Sequence, residues 1–127
     1  LHAVNDTLRS ELVPINRQYP LAELLAATAE YRAAQRHQVA YEYVLLHGVN
    51  DSAADARELA RLVRPTGFVN CIPFNAWPGA PFQPAPEAAT ARFVQLIRDA
   101  GTRVTVRCMS LPASAAPKTN KLTIYVL

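Results

Sequence analysis

The chain has 127 residues, half of them apolar and 18% charged, with a formal charge of +3. That length allows one domain with a modest core, and the balance excludes a disordered, collagen-like or repetitive chain. A mild basic excess suits an RNA partner, because lysine and arginine replace counterions on phosphate, but the 13 basic residues form no dense run and select no partner by themselves.

Residues 1–4 read as the end of a strand. Asn5 and Asp6 then offer N-cap oxygens to a short helix over residues 7–12, which Val13-Pro14-Ile15-Asn16 breaks. A second helix runs over residues 20–35 from a first-turn proline, with Leu21, Leu24, Leu25 and Thr28 on one face. Residues 39–46 are rich in β-branched and aromatic side chains and form a strand, followed by the loop His47-Gly48-Val49-Asn50-Asp51. Ser52 and Asp55 make a capping box for a helix that turns Ala56, Leu59, Ala60 and Val63 inward and stops near Pro65. Gly67 marks a turn before a strand over residues 68–73, and a Pro/Gly-rich loop spans residues 74–86. A helix over residues 87–100 turns Ala89, Phe93, Leu96 and Ile97 inward and ends on Gly101 as its C′ glycine, before a short strand over residues 103–107.

Strands alternating with helices specify an α/β fold: parallel strands joined by crossover helices, too few for a closed eight-stranded barrel. Cys71 falls in a strand as a small core residue, and two cysteines make no disulfide framework. No stretch approaches the roughly 18 apolar residues of a membrane span, and the first residues carry no signal-peptide pattern, so a cytoplasmic location is the default. Lacking an initiator methionine, the chain reads as starting in mid-pattern.

Ligands of parallel α/β folds bind at the carboxyl ends of the strands. Three places lie on that rim: Leu1-His2, His47 to Asn50, and Phe74-Asn75. His2 suits hydrogen bonding to a ligand, or is a loop histidine. Asn75 has donors and acceptors for an adenine edge or an amino-acid head group, yet on spacing alone it is a turn asparagine before Ala76-Trp77-Pro78-Gly79. His47, Asn50 and Asp51 read as loop and capping residues. Phe74, Trp77 and Phe82 anchor the long loop rather than stack on bases, and Arg9, Arg17, Arg32 and Arg36 read as solvated rather than phosphate-bound.

Four segments, in order, resemble the 23S rRNA adenine-C2 methyltransferases of the radical-SAM superfamily. Leu1-His2-Ala3-Val4-Asn5-Asp6-Thr7-Leu8-Arg9 is similar to that family's SLHAxND-x-LR, less its serine. Leu12-Val13-Pro14-Ile15-Asn16-Arg17-Gln18-Tyr19-Pro20-Leu21 resembles LVPINRKYPL. Glu42-Tyr43-Val44-Leu45-Leu46-His47-Gly48-Val49-Asn50-Asp51-Ser52 resembles EYVLLxGVNDS. Asn70-Cys71-Ile72-Pro73-Phe74-Asn75, then Pro78-Gly79-Ala80-Pro81-Phe82, resembles NLIPFN…PGxPY.

The resemblance implies the C-terminal part of a partial (β/α)6 radical-SAM barrel over residues 1–107, with an atypical tail over residues 108–127. It implies S-adenosyl-L-methionine (SAM) and a [4Fe–4S] cluster as cofactors, and 23S rRNA and possibly tRNA as substrates. Carried over by motif, Leu1, His2 and Asn75 are SAM contacts. No catalytic residue is assigned, because the family's cluster-binding CxxxCxxC is absent. Cys108 lies too early to match the family's methyl-carrying cysteine. Two alternatives stand beside this one: a relative acting at adenine C8, and a truncated, non-catalytic remnant. Val44, Leu46 and Ile72 are expected to lack facing partners, so the isolated chain is expected to self-associate.

Overall fold

The computed structural model describes residues 1–107; Cys108 and the tail it opens lie outside the described residues. Helix α1 spans Asp6–Leu12, a short 3-10 helix Pro14–Arg17, α2 Leu21–Gln35, β1 Val39–Leu45, α3 Ala53–Val63, β2 Gly67–Pro73, α4 Glu87–Asp99 and β3 Val104–Val106. The strands form one parallel sheet in the order β1-β2-β3, as crossover helices require.

Local chemistry sets the boundaries. Asn5 caps α1, its side chain accepting from the Leu8 amide at 2.9 Å. Ser52 and Asp55 close both halves of the capping box on α3. Gly101, at φ +81°, ends α4 with its amide on the Arg98 carbonyl at 2.8 Å. Gly67 marks no turn; it is the first residue of β2, opposite Val39. Residues 1–4 form no strand, although they lie along β1.

Alternation along the strands separates two faces. Tyr41, Tyr43, Leu45, Val69, Cys71 and Val104 share a core with Ala56, Leu59, Ala60 and Val63 of α3 and Phe93, Val94 and Ile97 of α4. Tyr43 stacks on Phe93 with ring centroids 5.6 Å apart. Leu96 packs against this core as expected, while Ala89 is only half-buried and Val94 takes an inward place. On the second core, Leu46 and Phe74 meet Ala3, Leu12 and Val13, with Val44, Trp77 and Phe82 packed against them. This corrects the expectation for Leu46 and Ile72, since both are buried; over Leu46 the cover is α1 and the proline-rich loop. Phe74 sits 5.4 Å from Trp77 and 6.2 Å from Phe82, so these aromatics do anchor the loop. Burial raises the Cys71 thiol to about 11, which makes it a core residue and not a nucleophile. No helix among the described residues is long and apolar enough to cross a membrane.

Candidate functional site

Leu45 at the end of β1 lies opposite Pro73 at the end of β2, and the Phe74 amide donates to the Leu45 carbonyl at 3.2 Å. Both rim segments therefore leave the sheet on one side. The segment Leu1-His2-Ala3 lies along the outer edge of β1. The Leu1 nitrogen donates to the Glu42 carbonyl at 2.8 Å, and the Val44 amide donates to His2 Nδ1 at 3.0 Å. An imidazole side chain thus completes a ladder that backbone began, satisfying an edge that would otherwise be open.

Asn50 closes the same edge. Its Nδ2 donates to the His2 carbonyl at 2.9 Å and the Val44 carbonyl at 2.8 Å, while its Oδ1 accepts from the Leu46 amide at 2.7 Å. The Tyr43 hydroxyl donates to the Asn50 carbonyl at 2.8 Å. Asn50 is wholly buried. Sequence reading placed it in a loop; the signal it offered was an asparagine four residues beyond an apolar strand end, where both amide functions reach the strand's last backbone groups.

Arg9 is buried, so it is not one of the solvated arginines. Its Nε donates to the Leu1 carbonyl at 3.1 Å and its guanidinium also reaches the Tyr19 carbonyl at 3.1 Å and the Asn16 side-chain oxygen. Asn16, buried too, donates to the Asp6 carbonyl at 3.2 Å and the Ser10 hydroxyl at 2.9 Å. Asp6 accepts from the Leu21 amide at 2.9 Å. This polar network ties α1, the 3-10 helix and the start of α2 to Leu1.

His2 has φ +64°, a left-handed backbone that costs a non-glycine residue about 1 kcal/mol or more. Accepting at Nδ1 fixes the neutral imidazole with its proton on Nε2. Burial, reinforced by the Leu1 amino group and the Arg9 charge, lowers its pKa from 6.5 to about 3. In the unfolded chain His2 takes up a proton near its ordinary value, whereas in the fold it resists. Its contribution to stability is therefore complete above about pH 6.5 and drains away as pH falls towards 3, by up to roughly 1.4 kcal/mol per pH unit. Thermal melts from pH 7 to pH 4 should show a steeper loss for the wild type than for His2→Gln; parallel losses would show that His2 titrates normally.

A cleft of about 200 Å³ runs beside the first half of β1, lined by Val39, Tyr41 and Glu42 with Leu1, His2 and Arg9, so it lies short of the strand's carboxyl end. Asn75 does not line it. It is exposed, two residues past the end of β2, at the same end of the sheet as His2 but on the neighbouring strand. His47 lies farther out, its Nδ1 2.9 Å from an Asp51 oxygen and its side chain half-exposed, as loop capping predicts. No group of three histidine, cysteine or acidic side chains able to hold a metal occurs among the described residues.

The chain is 49% identical over 109 residues to the dual-specificity RNA methyltransferase RlmN of Gluconobacter oxydans, covering 84% of this chain and 27% of that protein. It is also 49% identical over 110 residues to the protein of the same name from Rhodospirillum rubrum, covering 84% of this chain and 26% of the relative. It thus spans about a quarter of the length of the curated relatives it matches. Among solved structures, a radical SAM methyltransferase from Sphaerobacter thermophilus superposes with a TM-score of 0.83 at 50% identity, over 87% of this chain and 33% of that one. A domain of a pyruvate-formate lyase-activating enzyme from Bacteroides vulgatus shares the fold alone, with a TM-score of 0.67 at 17% identity, over 84% of this chain and 63% of that one. No protein-family model matches the chain.

Proposed function

We propose that this chain, which over most of its length is homologous to a segment of the radical-SAM RNA methyltransferases, supplies part of the SAM-facing rim of such an enzyme, acting at C2 of an adenine in 23S rRNA and in tRNA. The observation that carries the reading is the Leu1-His2 pair, locked on the outer edge of β1 at the rim where parallel α/β folds take their ligands. The relatives' name, dual-specificity RNA methyltransferase, supports two RNA substrates.

Bound at an iron–sulfur cluster, SAM would supply the transferred methyl group. The cluster's ligands are not among the described residues, and the buried Cys71 is unsuited to the task. What this chain's own residues offer is orientation. His2 presents a neutral Nε2–H donor, and the Asn75 amide both donates and accepts. In this reading residues 108–127 are an atypical stretch of sequence. A second reading is a non-catalytic remnant, since residues 108–127 do not resemble the family's sequence as the preceding segments do.

The test places this chain's matching segment in the Gluconobacter oxydans relative and measures SAM affinity by calorimetry. A hydrogen bond to a charged group contributes about 1.5–3 kcal/mol, so His2→Ala and Asn75→Ala should each weaken SAM binding by about tenfold or more. Unchanged affinity in both variants would remove these residues from the site.

A further inference from the structure

We infer that Arg9 and Asn50 are positioning residues for His2: each grips one carbonyl of the Leu1-His2 pair, and together they hold the imidazole on the β1 edge with Nε2 as its only proton-bearing nitrogen. This rests on the proposed SAM-facing role of His2 and deepens it.

Two buried side chains converge on two consecutive carbonyls. Arg9 Nε takes the Leu1 carbonyl at 3.1 Å and Asn50 Nδ2 takes the His2 carbonyl at 2.9 Å. They come from opposite directions, Arg9 from α1 and Asn50 from the loop after β1, 41 residues later in the sequence. The peptide between them is therefore fixed at both ends, which is how His2 is kept at φ +64°. The same Asn50 amide nitrogen holds the Val44 carbonyl at 2.8 Å, and the Val44 amide donates to His2 Nδ1 at 3.0 Å. Asn50 thus fixes both the residue that carries the imidazole and the strand residue that fixes its tautomer. Among the described residues Arg9 forms no ion pair with a carboxylate; its guanidinium donates to two carbonyls and an amide oxygen, an arrangement that orients rather than neutralises. The titratable and charged groups near His2 are the Leu1 amino group, whose pKa burial lowers to about 5, Arg9 on α1 and Glu42 on β1, and the first two disfavour protonation of the ring. Neither Arg9 nor Asn50 needs to touch a ligand for this; both act through the position of His2.

Imidazole nitrogen NMR on the 127-residue chain reads the proposal directly. In the wild type, His2 should show a pyridine-like Nδ1 and a protonated Nε2 from pH 8 to pH 5, with a through-hydrogen-bond coupling between the Val44 amide nitrogen and Nδ1. In Asn50→Ala and in the milder Arg9→Lys, His2 should lose that coupling, populate both tautomers and titrate near the ordinary histidine value. Circular dichroism separates this from unfolding. A folded variant in which His2 keeps its single tautomer would overturn the role of the substituted residue. If neither variant folds, the wild-type coupling decides, and its absence would overturn the proposal. Adding SAM tests the underlying reading separately: if Nε2 does not respond although the tautomer is fixed, the ligand assignment fails and the positioning stands.

Discussion

Gly67→Ala should destabilise the fold by about 3 kcal/mol or more, because the new Cβ has nowhere to go. At Gly67 a Cβ would fall 1.8 Å from the Val39 carbonyl oxygen, 2.7 Å from its carbon and 2.9 Å from its nitrogen. These are backbone atoms of the paired strand, so no rotamer change relieves the overlap. Relief requires Val39 and Gly67 to part, which opens the first rung of the β1–β2 ladder and pulls on the Val39 amide's 3.1 Å bond to the Thr66 carbonyl. Thr66 in turn contacts the Tyr41 hydroxyl at 2.5 Å, so the strain reaches the core. Against a typical total of about 5–15 kcal/mol, that loss is large. Gly79→Ala is the control: nothing lies within 4 Å of its Cβ, and its φ of +82° should cost only about 1 kcal/mol. Denaturant melts of the two variants check this, and similar costs would contradict the steric account.

Asn50→Ala should be comparably damaging for a different reason. It removes one side chain and leaves three backbone groups without their partner: the Leu46 amide and the carbonyls of Val44 and His2. A buried polar group left unsatisfied costs about 1–3 kcal/mol, and water reaching the edge recovers only part of that, so a loss of about 3 kcal/mol or more is expected. Hydrogen exchange locates the damage: the Leu46 and Val44 amides should exchange far faster in the variant, while amides inside α3 and α4 change only as global stability falls. Uniform acceleration at all sites would show that Asn50 merely stabilises the domain and does not seal the β1 edge.

The parallel α/β architecture was legible because its signals are local. The capping box of Ser52 and Asp55, the α3 stripe of Ala56, Leu59, Ala60 and Val63, and the C′ glycine Gly101 each act within a few residues, and all appear in the structure. Cys71 was legible as core for the same reason, since its neighbours alternate along a strand. What was not legible depends on distant chain. Gly67 reads as a turn glycine because nothing local says that Val39 will lie against it. Arg9 reads as an exposed helical arginine until Leu1, Asn16 and Tyr19 close around it. Asn50 reads as a loop residue until its bond to His2, 48 residues away in sequence, is seen. Leu46 reads as lacking partners because the covering elements, α1 and the proline-rich loop, sit far from it in the chain or show no periodicity. Leu1, His2 and Asn75 came from motif resemblance, and of these the cleft along β1 gathers only the first two.

Replacing the matching segment of the Gluconobacter oxydans relative with that of this chain tests the central claim most directly, through the product. Mass spectrometry of nucleosides from 23S rRNA and tRNA treated with the reconstituted chimera should show 2-methyladenosine, and His2→Ala and Asn75→Ala should reduce it sharply. A folded chimera with its iron–sulfur cluster in place that forms no 2-methyladenosine on either RNA would contradict the account.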